Sequence, residues 1–324
     1  MVWFCAPSGF ELRADIVDVF FLAGQSNMSG RVADGFEATP WDDEILYNFV
    51  SDGPSQSNRR SEGFTSLGPL DTGFYGPEIT IGRRLLAEGY APVLVKVSDG
   101  GPSLADAWNS GDGGRMWRTW VAIARQSLEA LEAQGRDIRL RGFFWLQGET
   151  DALDPTDADA YGGRFRRFVS DVHWTLTELG WNTEQMRFVT ALIRDSPNLP
   201  HADLVRRAQV DTMLSMRLGE WFDTDRLETF DRLHYSSASI AIIGEQFVEG
   251  FRRSVKPHVR VCLDDQGAIK VEARGVLEQK VGSGPWSVVP GLSPFCQQFV
   301  PTSSIEASSP VILFRARSLR ETDW

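Results

Sequence analysis

Val19-Phe20-Phe21-Leu22-Ala23-Gly24-Gln25-Ser26-Asn27-Met28-Ser29-Gly30 is an unbroken apolar run that stops at a glycine and gives way to amide, serine and amide. An apolar run this short, bounded by a turn, reads as a strand buried on both faces, as in a parallel sheet. A serine just past the carboxyl end of such a strand lies in the crevice where open α/β sheets bind ligands, and the turn can leave its backbone N–H free for an oxyanion. The stretch also admits a plainer reading, a serine capping the helix that follows.

Two other stretches favour chemistry. Thr229-Phe230-Asp231-Arg232-Leu233-His234-Tyr235-Ser236 sets an aspartate three residues before a histidine, ahead of an apolar-periodic helix. A serine hydroxyl is a poor nucleophile at neutral pH. It needs an imidazole to take its proton and a carboxylate to fix that imidazole's tautomer. Asp231 and His234 offer both from one loop, although such loops also use Asp and His as caps. The other three histidines sit in blander contexts: His173 in a helical pattern, His201 after a proline, His258 at the start of the C-terminal tail. The second stretch, Phe143-Phe144-Trp145-Leu146-Gln147-Gly148-Glu149-Thr150-Asp151, is another apolar strand ending in a polar turn.

Taken in order, Gly24-Gln25-Ser26-Asn27-Met28, Trp145-Leu146-Gln147-Gly148-Glu149-Thr150-Asp151 and Asp231-Arg232-Leu233-His234 resemble the SGNH hydrolase superfamily. Within it they are similar to the sialate O-acetylesterase-like branch and carbohydrate esterase family six, which includes acetylxylan esterases. Gly76-Pro77-Glu78 and Gly100-Gly101-Pro102-Ser103 followed by Trp108 agree, and the resemblance spans roughly residues 16–252. It implies Ser26 as nucleophile, His234 as general base and then acid, and Asp231 as the orienting carboxylate. It also implies an oxyanion hole made of the Ser26 N–H, an N–H from Gly100 or Gly101, and the Gln147 side-chain amide. Gln25 and Asn27 flank the nucleophile as supporting residues. Gln147 stands where many members of the superfamily carry asparagine, and Gly-Gln-Ser replaces Gly-Asp-Ser; both departures match the carbohydrate-esterase branch. The glycine turn reads Gly-Gly-Pro-Ser rather than Gly-Gly-Thr, and Trp108 lies one residue late. Glu149 has three readings, ranked as support of the site, a helix cap, and the principal triad acid. Asp151 and Asp154 read as loop and capping residues.

Strand-like runs at Ile16–Leu22, Pro92–Ser98, Ile138–Leu146 and Arg187–Ile193 alternate with helical patterns opening near Pro77, Trp117, Tyr161, Ala202 and Ser236. Such alternation predicts an α/β fold, a three-layer α/β/α sandwich with a central parallel sheet. The aromatic stripes follow the helical period and read as core. Ala33 to Tyr75 lacks a sustained period and reads as a long irregular, substrate-facing region. Trp41, Tyr47, Phe64, Phe74 and Trp108 are its candidates, with the neighbouring turn, for stacking on a sugar ring. After Lys256-Pro257 short runs separated by turns predict a small β-rich appendix. The chain thus divides into an esterase domain, residues 1–254, and an appendix, residues 255–324, read as structural cover rather than a binding module.

The 324 residues, 42% of them hydrophobic, suffice for a large core. A net charge of −11 argues against nucleic acid or an anionic membrane as partner. No apolar run approaches the length of a membrane span, and the N-terminus shows no charged region followed by an apolar signal core. A removed leader would leave the same sequence, so compartment stays open. Cys5, Cys262 and Cys296 fit no metal spacing; a Cys262–Cys296 pair and free thiols are both compatible with the sequence. Asp99-Gly100-Gly101 lacks a phosphate-loop lysine or a dinucleotide fingerprint. The expectation is a serine esterase that removes O-acetyl groups from carbohydrates through an acyl-enzyme, without metal or organic cofactor. Alternatives are a general short-chain carboxylesterase, a sialate O-acetylesterase, or a non-catalytic carbohydrate-binding protein on the same fold.

Overall fold

The computed structural model describes residues 16–32, 34–53, 56–70 and 73–254 and, beyond them, strands between 258 and 317. The chain opens with β1 (Ile16–Gly24), the four-residue α1 (Ser26–Ser29) and a 3-10 turn (Pro40–Glu44). Next come β2 (Leu46–Gly53), β3 (Gln56–Arg60), β4 (Thr65–Ser66), α2 (Glu78–Ala87), β5 (Pro92–Ser98) and α3 (Arg115–Ala133). There follow β6 (Asp137–Leu146), α4 (Pro155–Glu178), β7 (Arg187–Ala191), α5 (Ala202–Ser215), β8 (Gly219–Phe222) and α6 (Ser237–Arg253).

These strands form one sheet in the order β3-β2-β5-β1-β6-β7-β8, with β4 paired to β2. From β2 across to β8 every neighbouring pair is parallel; only β3 and β4 run antiparallel. Because side chains alternate along a strand, β1 feeds two cores. Val19, Phe21 and Ala23 pack with Trp108, Trp120, Phe165 and Phe168, beneath α3, α4 and α5. Phe20 and Leu22 face the other way, toward Ile81, Leu85, Phe247 and Phe251 of α2 and α6. The sheet is therefore flanked by helices on both faces.

Helix starts follow local chemistry. Asp154 caps α4 by accepting from the N–H groups of Thr156 (2.8 Å) and Asp157 (3.1 Å), with Pro155 in the first turn, where its missing N–H removes nothing. The sequence pattern opens this helix near Tyr161; the helix in fact starts on Pro155. Ser236 caps α6 through Ser239 N–H.

The expected irregular region between Ala33 and Tyr75 is a correction, since it supplies β2, β3 and β4. In β2, Asn48 and Ser51 break the apolar pattern, yet both are buried. Asn48 donates to Ser127 Oγ at 2.9 Å and accepts from Ser61 Oγ at 2.8 Å, so partners outside the strand compensate its burial. Tyr47 and Trp108 are fully buried and offer no face to a sugar. Trp41 is exposed, while Phe64 and Phe74 are half-buried. A short strand before α6, β8, was also missed; its Glu220 is fully buried and accepts from Trp221 N–H.

In the C-terminal region, β9 (His258–Leu263), β10 (Ile269–Arg274) and β13 (Val300–Pro301) form one antiparallel sheet. A second contains β11 (Val276–Val281), β12 (Ser287–Val288) and β14 (Ile312–Arg317). Cys5 and Cys296 lie outside the described residues, as do the side chain of Cys262 and with it the question of its pairing.

Candidate active site

Register brings three strand ends together. Gly24 of β1 lies opposite Ser98 of β5 on one side and Leu146 of β6 on the other. The turns after these strands therefore lie side by side at the point where strand order reverses around β1, the usual ligand crevice of an open α/β sheet. Gln25 N–H donates to Leu146 O at 3.0 Å, joining the first turn to the third. The approach is close: a Cβ on Gly24 would stand 2.1 Å from the Leu146 carbonyl oxygen. Gly30, with φ +94°, ends the first turn, and a Cβ there would meet Tyr75 O at 2.0 Å.

Ser26 opens α1 and is 3% exposed. Its N–H and that of Gly101 have no acceptor among the described residues, whereas Gly100 N–H donates to Asp99 Oδ1. Beneath α1, the buried Lys96 donates to Ser29 O at 3.0 Å and to Glu78 Oε2 at 2.6 Å; Glu78 Oε1 in turn accepts from Gly76 N–H. Burial depresses the Lys96 pKa, with Glu78 opposing it. Removing either member would leave a buried charge without its partner, which typically costs about 3–5 kcal/mol.

The fourth piece is a hairpin. Phe230 N–H donates to His234 O and Ser236 N–H to Glu228 O, each at 3.0 Å. Within it Asp231 Oδ1 accepts from the backbone of Leu233 (2.7 Å) and His234 (2.6 Å), while Oδ2 meets His234 Nδ1 at 2.7 Å. His234 Nε2 stands 3.0 Å from Ser26 Oγ. Desolvation works against the Asp231 charge, but the His234 ring and the two N–H donors outweigh it and hold the carboxyl below its ordinary value.

Asn27 fastens the hairpin to the strand ends. Its amide donates to Glu149 Oε1 at 2.8 Å and to Leu233 O at 3.4 Å, and accepts from Tyr235 N–H at 3.2 Å. Both residues flanking His234 are thus tied to the residue after Ser26. Glu149 is buried, its Oε2 has no hydrogen-bond partner among the described residues, and its pKa is raised chiefly by desolvation.

Gln147 departs from expectation. Its Nε2 donates to Asp151 Oδ2 at 2.6 Å and to Pro102 O at 3.1 Å, and its Oε1 accepts from the Tyr161 hydroxyl at 3.2 Å. Both amide hydrogens are engaged in scaffold and the side chain is fully buried, so Gln147 does not line the cleft. Gln25 does, its Oε1 accepting from Gly148 N–H at 3.2 Å. Asp151, read as a capping residue, is instead the buried acceptor of Leu104 N–H, Ala105 N–H and Gln147. Its signal was the four-residue spacing from Gln147, which only tertiary structure makes meaningful.

Ser26, His234, Gln25, Gly100, Gly101 and Glu149 line a cleft of ≈ 390 Å³. A larger cavity of ≈ 600 Å³, beside His173 and Met186, lies at the opposite end of β7 and β8 and holds none of these groups. Among the described residues no cluster of His, Cys, Asp or Glu is arranged to hold a metal, and no helix is long and apolar enough to cross a membrane.

Residues 16–253 match the family described as carbohydrate esterase, sialic acid-specific acetylesterase. The chain belongs to this family. It is accordingly a carboxylic ester hydrolase of the carbohydrate acetylesterase class. No curated protein matches in a sequence comparison. Among solved structures the esterase is similar to NanS, with TM-score 0.55 and 15% identity over 74% of this chain and 98% of that one. A protein from Arabidopsis thaliana gives 0.51 and 20% over 72% and 97%. A carbohydrate acetylesterase from Xanthomonas citri gives 0.50 and 15% over 91% and 74%. At these identities the likeness speaks for the fold.

Proposed function

We propose that Ser26, His234 and Asp231 act as nucleophile, general base and orienting acid in removing acetyl groups from carbohydrate hydroxyls. The observation that carries this reading is the continuous chain Asp231–His234–Ser26, with contacts of 2.7 and 3.0 Å, at the mouth of the cleft. Ser26 Oγ attacks the acetyl carbonyl while His234 Nε2 takes its proton. The carbonyl oxygen becomes an oxyanion that accepts from the N–H groups of Ser26 and Gly101, both without an acceptor among the described residues. His234 returns the proton to the departing sugar oxygen, which leaves an acetyl-enzyme. Water, deprotonated by His234, then attacks that ester and restores Ser26. Gln147 serves as a positioning residue, holding the Pro102 segment beside the oxyanion donors. Glu149 orients the Asn27 amide.

Family membership supports an acetylated carbohydrate as substrate. A second reading, an O-acetylated sugar bearing a carboxylate, as in sialic acid, is favoured by Arg31 and Arg232 in the cleft wall. The three-layer sandwich ends near residue 254, and residues 255–324 act as its β-rich appendix; the six strands between 258 and 317 support this division. Acetate release from acetylated xylan, acetylated monosaccharides, O-acetyl sialic acid and a longer-acyl ester tests the assignment. Selective turnover of acetylated sugars that Ser26→Ala abolishes is the expected result; retained turnover in Ser26→Ala overturns it.

A further inference from the structure

Arg31 lines not only the cleft at Ser26 but also a second cavity of ≈ 360 Å³, bounded by Val32, Asp34, Phe230, Ser236 and Ser237. The two spaces meet at that side chain. They also share the site hairpin, since the Phe230 ring lies nearly parallel to the His234 ring, with centroids 5.9 Å apart and planes 19° apart. Phe230 nevertheless remains 56% exposed. Around it the lining includes polar groups: Ser237 donates to Asp34 Oδ1 at 2.6 Å, and Ser236 shares the wall with them. A flat apolar ring bordered by hydroxyl and carboxylate groups is complementary to a sugar, whose C–H face stacks on the ring while its hydroxyls meet the polar rim.

We propose that this second cavity is a subsite for the neighbouring sugar unit of an acetylated oligosaccharide, with Phe230 as its stacking platform and Asp34 and Ser237 as hydroxyl partners. The proposal rests on the carbohydrate acetylesterase reading and deepens it: the preferred substrate is longer than the sugar that carries the acetyl group. No bond changes at the subsite. Contacts to the remote sugar lower the barrier by holding the ester against Ser26, and so appear in kcat/KM. The competing role for Phe230, shielding the His234–Asp231 pair from water, would act on every ester alike.

The test uses two matched pairs of substrates, monoacetylated methyl xyloside with monoacetylated xylotriose, and O-acetyl sialic acid with O-acetyl sialyllactose, alongside p-nitrophenyl acetate. In the unaltered enzyme the oligosaccharide of at least one pair should exceed its monosaccharide in kcat/KM by about tenfold, the size of one aromatic contact. Phe230→Ala, which removes the platform, and Ser237→Trp, which fills the cavity, should bring that ratio near one, and Phe230→Tyr should preserve it. Because the ratio is read within each variant, a general loss at the acyl site cancels. A ratio near one for both pairs in the unaltered enzyme overturns the subsite while leaving the esterase reading intact. So does a ratio that both variants leave unchanged. Turnover of p-nitrophenyl acetate without turnover of any sugar ester overturns the carbohydrate reading and the subsite together.

Discussion

Asp231 and Asp151 make almost the same hydrogen bonds in opposite surroundings. Each accepts from two consecutive-turn backbone N–H groups and one side-chain N–H: Leu233, His234 and the His234 ring for the first, Leu104, Ala105 and the Gln147 amide for the second. The Asp231 side chain is 44% exposed, and its pKa is lowered because the donors outweigh desolvation. Asp151 is 0% exposed, and desolvation outweighs the donors, so its pKa is raised. Donor count alone does not set the direction in which a carboxyl's pKa moves; access to water weighs against it. In the proposed mechanism the exposed clamp steers a ring that gains and loses a proton, while the buried one fixes a turn.

Substitutions sharpen this contrast in descending order of effect. Ser26→Ala, which leaves Asp231 and His234 with nothing to activate, should reduce kcat by about 10⁶ with the melting temperature essentially unchanged. Asp231→Asn should lower kcat by about 10³–10⁴, again with little change in melting, because the amide stabilises the wrong imidazole tautomer. If it instead mainly destabilised the protein, the two aspartates would be alike after all. Asp151→Asn should behave in the reverse manner. A stability loss of about 2 kcal/mol, seen in denaturant unfolding, should accompany only about a tenfold drop in turnover. Glu149→Gln should have the least effect, within about fivefold of the unaltered enzyme, since a glutamine oxygen can still accept from Asn27. A loss larger than that of Asp231→Asn, measured on one substrate at the pH optimum, would transfer the triad acid to Glu149.

Acidity separates the pair by sign. Asp151 is raised above 3.8, so the folded state holds its proton more tightly; stability from this source is full below 3.8 and is lost as pH rises through the folded value. Asp231 is lowered below 3.8, so its contribution is present above 3.8 and is lost as pH falls through the folded value. Melting curves of the unaltered protein against each Asn variant should therefore diverge on acidification for Asp151 and converge for Asp231. Parallel trends would show that burial does not distinguish them.

The same contrast explains what the sequence disclosed. Asp231 and His234 lie three residues apart, so their partnership is local and legible. Strands β1, β5, β6 and β7 were legible because buried parallel strands are near-continuous apolar runs. Strand β2 was not, because Asn48 and Ser51 look like loop residues until Ser127 and Ser61 are known to meet the first and the neighbouring strands to enclose both. Asp151 looked like a cap because its backbone donors, Leu104 and Ala105, are 47 and 46 residues away. Gln147 was assigned to the oxyanion by resemblance to a family pattern, and the pattern carried no information on where its two amide hydrogens go. Long-range satisfaction of polar groups is what a linear reading lacks.

The tight contacts at Gly24 and Gly30 bear on how this fold can change over generations. Ser26 can become alanine with no steric penalty, so, with Ser26 as the proposed nucleophile, catalysis can be lost in a single step while the chain still folds. The two glycines have no such freedom, since any side chain would run into the Leu146 or Tyr75 carbonyl. Descendants that abandon hydrolysis should then be recognisable by an intact pair of glycines around a vanished serine, a fossil of the turn outlasting its chemistry.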